Sequence, residues 1–249
     1  MVSNLGKQKE TEMVNELNEK KYEELTDNCK NFIEGIFGKV KDDDLILCRQ
    51  IDGYTKPDFF VKIDDYIHYV SMKSGSATQV DEENIKDFII FLRSIGISNH
   101  TLATILYFQY GDGTKDGTGK ERIEHNKLNV ILGKRIKDAN KELNSNPKIV
   151  EKVITRCLFQ GNNDDYIPAE YIYHGDKNYG VIVSKKQIFA HLKKRSWKWV
   201  DNLHIGPLLI RPHARYYKKE IKNESYRHKV EIYWPRLPFD LDYISKTYN

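Results

Sequence analysis

Lys56-Pro57-Asp58-Phe59-Phe60-Val61-Lys62-Ile63-Asp64-Asp65-Tyr66-Ile67-His68-Tyr69-Val70-Ser71-Met72-Lys73-Ser74-Gly75 is the stretch from which the fold is read. Phe59–Ile63 and Tyr66–Met72 are two β-prone runs with only Asp64-Asp65 between them, which is the signature of a hairpin. Side chains alternate along a strand, so Ser71 and Lys73 share one face while Val70 and Met72 enter the opposite layer. In ordinary hairpin register Asp58 lies near the end where Ser71 and Lys73 emerge. A carboxylate there can bind Mg²⁺, which prefers hard oxygen ligands. A neighbouring ammonium can orient an attacking water or stabilise developing negative charge. Asp58 and Lys73 supply one of each.

Working outward, Leu25, Cys29, Phe32, Ile33 and Ile36 recur at helical spacing before Gly38, so residues 8–37 are expected to form one helix, fraying before Leu17. Leu45–Cys48 reads as a short strand. Asp81–Arg93 is expected to be a second helix, with Ile85, Phe88, Ile89 and Leu92 on its apolar face. Leu102–Tyr110 fits strand or buried helix, and Gly111–Gly119 reads as a loop. Helices are expected over Ile123–Leu143 and from Pro147. The character then turns aromatic and β-prone at Tyr171–His174, Tyr179–Val183, Leu208–Ile210 and Val230–Trp234, with a short helix over Ser184–Leu192.

Pro57-Asp58 followed by Ser71-Met72-Lys73 resembles the motif of the PD-(D/E)xK nuclease superfamily, which includes many restriction endonucleases, in a variant with serine where an acid usually stands. The resemblance covers about residues 25–110. It implies an α/β fold, with a central mixed β-sheet flanked by helices in a restriction-endonuclease-like core. It implies a Mg²⁺-dependent endonuclease acting on DNA, of type II restriction character. Asp58, Ser71, Lys73 and Glu83 are then the catalytic residues. Asp58 and Glu83 hold the metal, Glu83 being the acid displaced to the following helix, with Glu82 and Asp87 as alternatives. Ser71 would bond a water or a ligand of the metal. An acid of the first helix, Glu34 or Glu23, can also reach the metal in such folds.

Charge supports a polyanionic partner. Residues 1–100 carry 13 basic against 19 acidic residues, a balance of −6, and residues 101–249 carry 27 against 17, a balance of +10. Residues 1–145 are accordingly expected to form the nuclease-like core, and 146–249 a basic, aromatic, β-containing part that recognises nucleic acid. Lys194, Arg195, Trp197 and Lys198 interleave cations with aromatics. Arg211 and Arg215 follow a strand, and Lys115 and Lys120 lie in or beside the glycine-rich loop. Cleavage of both DNA strands suits a homodimer.

Other signals fall away. Gly119-Lys120 lacks the upstream glycine of a phosphate-binding loop, because Thr114 stands there, and Glu121 replaces its Ser/Thr. Read as a calcium loop, the same stretch ends on Ile123 where a glutamate is needed. His68 alternates with Val70 and reads as a packed histidine. No CxxC or HxxxH spacing occurs, which argues against a structural zinc site. Three distant cysteines, no apolar run of membrane length and a polar N-terminus point to a cytoplasmic protein without disulfides. A nuclease-like fold that binds nucleic acid without cutting it is the alternative, kept open by Ser71. A small-molecule or protein-interaction module is a third.

Overall fold

The computed structural model describes the chain apart from residues 1–2, 54–55, 76–77, 120, 163–166, 196, 198–201, 214–223 and 249. The chain divides into two compact units, each assembled from separated segments. The first comprises residues 1–77, 155–194 and 236–249, and the second residues 78–154 and 195–235. The boundary expected near residue 145 falls inside the second unit.

The first unit is built on a six-stranded mixed sheet. In chain order its strands are β1 (Lys20–Lys21), β2 (Leu45–Gln50), β3 (Phe59–Ile63), β4 (Tyr66–Lys73), then β6 (Tyr171–Gly175) and β7 (Gly180–Ser184). Their spatial order is β1-β2-β3-β4-β6-β7. Among the described residues only β4 and β6 run parallel, with Ser71 opposite Ile172 and Lys73 opposite His174. The β3–β4 hairpin forms as its sequence indicates, pairing Phe59 with Val70 and Ile63 with Tyr66. Asp64 adopts a φ of 51°, a left-handed conformation that aspartate tolerates in tight turns. Helices α1 (Ser3–Leu17), α2 (Asp27–Phe37), α7 (Lys185–Lys193) and α8 (Leu237–Thr247) pack around the sheet. Phe32, Ile33, Phe59, Val61, Val70, Met72 and Tyr173 form the centre of the core.

The single helix expected over residues 8–37 is two helices. Glu19 turns left-handed at φ 59° and ends α1, and Thr26 starts α2 by accepting a hydrogen bond from the Cys29 N–H. The polar segment expected to fray is the body of α1. It packs on β2, where the Gln50 side chain donates to Thr11 Oγ1 at 3.0 Å.

The second unit holds an antiparallel sheet ordered β5-β10-β9-β8, from β5 (Gln79–Asn84), β8 (His204–Ile205), β9 (Leu208–Pro212) and β10 (Lys229–Tyr233). Its helices are α3 (Ile85–Ser94), α4 (Asn99–Tyr110), α5 (His125–Leu143) and α6 (Pro147–Ile154). The helix expected from Asp81 starts only at Ile85. Asn84 caps it by accepting from the Lys86 N–H, and Asp81, Glu82 and Glu83 before that cap pair with β10 as a strand. The glycine-rich loop is folded around Asp112. This carboxylate accepts from the Thr114 N–H and hydroxyl, the Gly119 N–H and the Arg227 guanidinium. Arg122 fastens its far end by donating to the Phe108 and Gln109 carbonyls at the C-terminus of α4.

Candidate active site

Asp58 stands one residue before β3. Its N–H donates to the Val70 carbonyl at 2.9 Å, which extends the hairpin register past the last ladder pair. That places its side chain against the end of β4. Asp58 Oδ2 accepts from Ser71 Oγ at 3.0 Å and from the Met72 N–H at 2.5 Å. Both bonds fall on Oδ2. Ser71 is fully buried and its hydroxyl is committed to orienting Asp58. Of the two partners expected for Ser71, a water or a ligand of the metal, its hydroxyl takes Asp58, the carboxylate expected to be such a ligand.

Lys73 is the last residue of β4, two positions beyond Ser71, and the positive charge of its ammonium acts on Asp58. The chain after it is tied down by His174, whose Nε2 lies 3.0 Å from the Gly75 carbonyl oxygen. Burial raises the Asp58 carboxyl above the ordinary carboxylate range. The charge of Lys73 and the two hydrogen bonds on Oδ2 pull the other way without cancelling it.

A third charged side chain joins this pair. Glu10 of α1 is raised from the ordinary 4.5 to about 7, first by burial and then by the negative charge of Asp58, with Lys73 and Lys7 opposing. Glu10 and Asp58 therefore repel one another beside one ammonium. The set offers hard oxygen donors with two potential negative charges, and the positive charge of Lys73 acts on both, with Lys7 acting on Glu10 and Lys56 on Asp58. Such an arrangement fits a divalent cation held by oxygen ligands. The chemistry of the donors fits Mg²⁺ or Mn²⁺ better than a metal that favours thiolate or imidazole.

Sequence reading missed Glu10. Helical spacing in α1 is weak, and nothing local separates Glu10 from Glu12 or Glu16; the signal lies in how α1 docks on β2. Of the first-helix acids considered, Glu34 accepts from the Tyr22 hydroxyl at 2.5 Å, and Glu23 follows Tyr22 in a short 3-10 turn. Glu83 belongs to the second unit. It is buried on β5 opposite Val230, on a strand rather than at a helix N-terminus. Glu82 pairs with Lys229, and Asp87 lies in the first turn of α3.

Among the residues expected to meet nucleic acid, Lys115, Lys194 and Arg195 are exposed. The Arg195 guanidinium sits 5.6 Å from the Trp197 ring, and Lys194 lies 4.9 Å from the ring of Tyr248. Arg211 packs over Tyr233 at 4.9 Å. Lys120, Lys198 and Arg215 lie outside the described residues.

No family model and no curated protein matches the chain. Among solved structures, the chain is similar to the crystal structure of restriction endonuclease MspI in complex with its cognate DNA. The TM-score is 0.53 at 12% identity, over 92% of this chain and 89% of that one. The fold is thus restriction-endonuclease-like, a mixed α/β architecture with a six-stranded mixed sheet flanked by helices. No helix among the described residues is long and apolar enough to cross a membrane.

Proposed function

We propose that the chain is a Mg²⁺-dependent endonuclease that hydrolyses DNA phosphodiester bonds, of type II restriction character. The observation that supports this reading is the Asp58 carboxylate fixed by Ser71 and the Met72 N–H beside the β3–β4 hairpin of a restriction-endonuclease-like sheet, with Lys73 and Glu10 near enough for their charges to act on it. Asp58 and Glu10 hold the metal, Glu10 taking the part expected of Glu83. When bound, Mg²⁺ supplies Lewis-acid neutralisation of the phosphoryl charge. Ser71 and the Met72 N–H fix the Asp58 carboxylate through Oδ2, which would hold it in place as a ligand of the metal. Lys73 donates hydrogen bonds to the attacking water or to a phosphate oxygen, stabilising charge that grows in the transition state. Lys115, Lys194, Arg195, Trp197 and Arg211, with Lys120, Lys198 and Arg215, contact the DNA, and the enzyme acts as a homodimer in the cytoplasm.

A second reading is a nuclease-like fold that binds DNA without cutting it. One observation favours it: Ser71 occupies the usual place of an acid and spends its hydroxyl on Asp58. Incubation with mixed-sequence plasmid and phage DNA, with Mg²⁺ or with EDTA, separates the two. Discrete fragments only with Mg²⁺ support the restriction enzyme. DNA that is retarded on a gel yet stays intact supports the binding protein and overturns the first reading.

A further inference from the structure

Apart from the candidate active site, the second unit brings three ligating side chains from three strand segments to one point. Glu82 of β5 stands directly opposite Glu231 of β10, and His213 follows β9 immediately. Like charges directly opposed on adjacent strands destabilise a sheet, and Glu231 is only 8% exposed. His213 Nδ1 lies 3.1 Å from Glu82 Oε2 and 3.0 Å from Glu231 Oε1. A single Nδ1–H can aim squarely at only one of those oxygens. These separations also equal the edges of a coordination shell. Ligands at about 2.0–2.1 Å from a cation stand ~2.9 Å apart in an octahedron and ~3.3 Å apart in a tetrahedron.

The outer atoms are fixed independently. Lys229 Nζ holds Glu82 Oε1 at 2.5 Å, and the Tyr233 hydroxyl donates to Glu231 Oε2 at 2.9 Å. The His213 ring stacks on Tyr226 with centroids 4.6 Å apart and planes 25° apart, and the backbone N–H of His213 donates to the Lys229 carbonyl at 3.0 Å. Each carboxylate therefore has its far oxygen anchored and its near oxygen turned toward Nδ1, as outer partners orient the ligands of metal sites. The ligand atoms all lie within 4.8 Å of one another. A lysine and an arginine side chain, Lys229 on Glu82 and Arg211 opposite Glu231, flank the two carboxylates.

We propose that Glu82, His213 and Glu231 form a second metal site, selective for Zn²⁺ over Mg²⁺, which staples β5, β9 and β10. One imidazole nitrogen with two carboxylate oxygens is a donor set that binds zinc well and that magnesium disfavours. The site is independent of DNA cleavage, so it can fail while the nuclease reading stands, and the reverse.

The test removes the candidate active site with the double substitution Asp58→Ala/Glu10→Gln, strips metal with EDTA and dialyses the protein against Zn²⁺ at pH 7.5. The expected result is one equivalent of Zn²⁺ by elemental analysis, together with a rise in Tm that Mg²⁺ at the same concentration does not give. Adding His213→Ala to that background should weaken Zn²⁺ binding at least tenfold. Glu231→Gln, which keeps the side-chain volume, should do the same if the alanine variant fails to fold. No bound zinc at tenfold excess overturns the proposal. So does zinc retained equally by both added variants, which would place it on other histidines or on the cysteines.

Discussion

Replacing Glu10 with Gln should make the metal-free protein more stable at pH 8. In the folded chain the Glu10 carboxyl titrates at about 7, against an ordinary 4.5, because burial and Asp58 both oppose its charge. Between those two values the folded state holds a proton that the unfolded state has lost, so stability falls as pH rises through the window and levels off above it. Fully felt, the difference amounts to about 3.4 kcal/mol. Glu10 is only partly buried, and solvent screening reduces this to about 1–2 kcal/mol. For a chain of this size that is a Tm gain of about 2–8 °C for Glu10→Gln in EDTA at pH 8. The gain should shrink toward zero near pH 4.5, where both forms are uncharged. Saturating Mg²⁺ should narrow or reverse the order, because a ligand that binds only the folded state stabilises the wild type more. Thermal melts followed by circular dichroism at pH 4.5, 6 and 8, with EDTA and with Mg²⁺, make the measurement. An equal or lower Tm for the variant at pH 8, or a gain that does not vary with pH, would refute the placement of Glu10 beside Asp58.

Asp58→Ala should abolish Mg²⁺-dependent cleavage while DNA retardation persists; cleavage at the wild-type rate would end the assignment. Lys73→Ala should lower the single-turnover rate by about 10²–10⁴-fold, and a loss below tenfold would remove it from the chemistry. Asp112→Ala leaves Arg227, Thr114 and Gly119 without their common acceptor and should cost about 3 kcal/mol in denaturant melts; unchanged stability would mean that the loop is not held by this carboxylate. Gly35→Ala adds a Cβ that would meet Ile182 Cγ2 at 2.2 Å, so the Ile182 side chain or α2 must shift at a cost of about 1–3 kcal/mol. Calorimetry of that variant should show a lower Tm, and an unaltered one would contradict the close packing of α2.

The hairpin could be read from the sequence because everything that specifies it is local. Alternation, a two-residue turn and a tolerant aspartate all lie within fifteen residues. The acids before Ile85 were misassigned for the opposite reason. Asp81, Glu82 and Glu83 look like the first turn of the apolar-periodic helix that follows, and their true partner, β10, begins at Lys229. No local propensity reports a pairing across that separation. The same limit hid Glu10, whose environment is made by β2, the hairpin and Lys73 rather than by its neighbours in α1. It also hid His213, which matches no ligand spacing because Glu82 lies 131 residues away. The juxtaposition of Asp58 with the end of β4 follows from the hairpin register and so is locally encoded, whereas the placement of Glu10 and His213 depends on tertiary contacts.

The parallel neighbour of β4 arrives late in synthesis. Residue 73 ends β4, and its partner β6 begins only at residue 171. At ribosomal rates of 5–20 residues per second, those hundred or so residues take ~5–20 s to appear. For that interval the strand bearing Ser71 and Lys73 presents an unsatisfied edge, open to a second nascent chain on the same message. A chaperone that shields the β4 edge during that interval would protect the strand carrying Ser71 and Lys73 from mispairing.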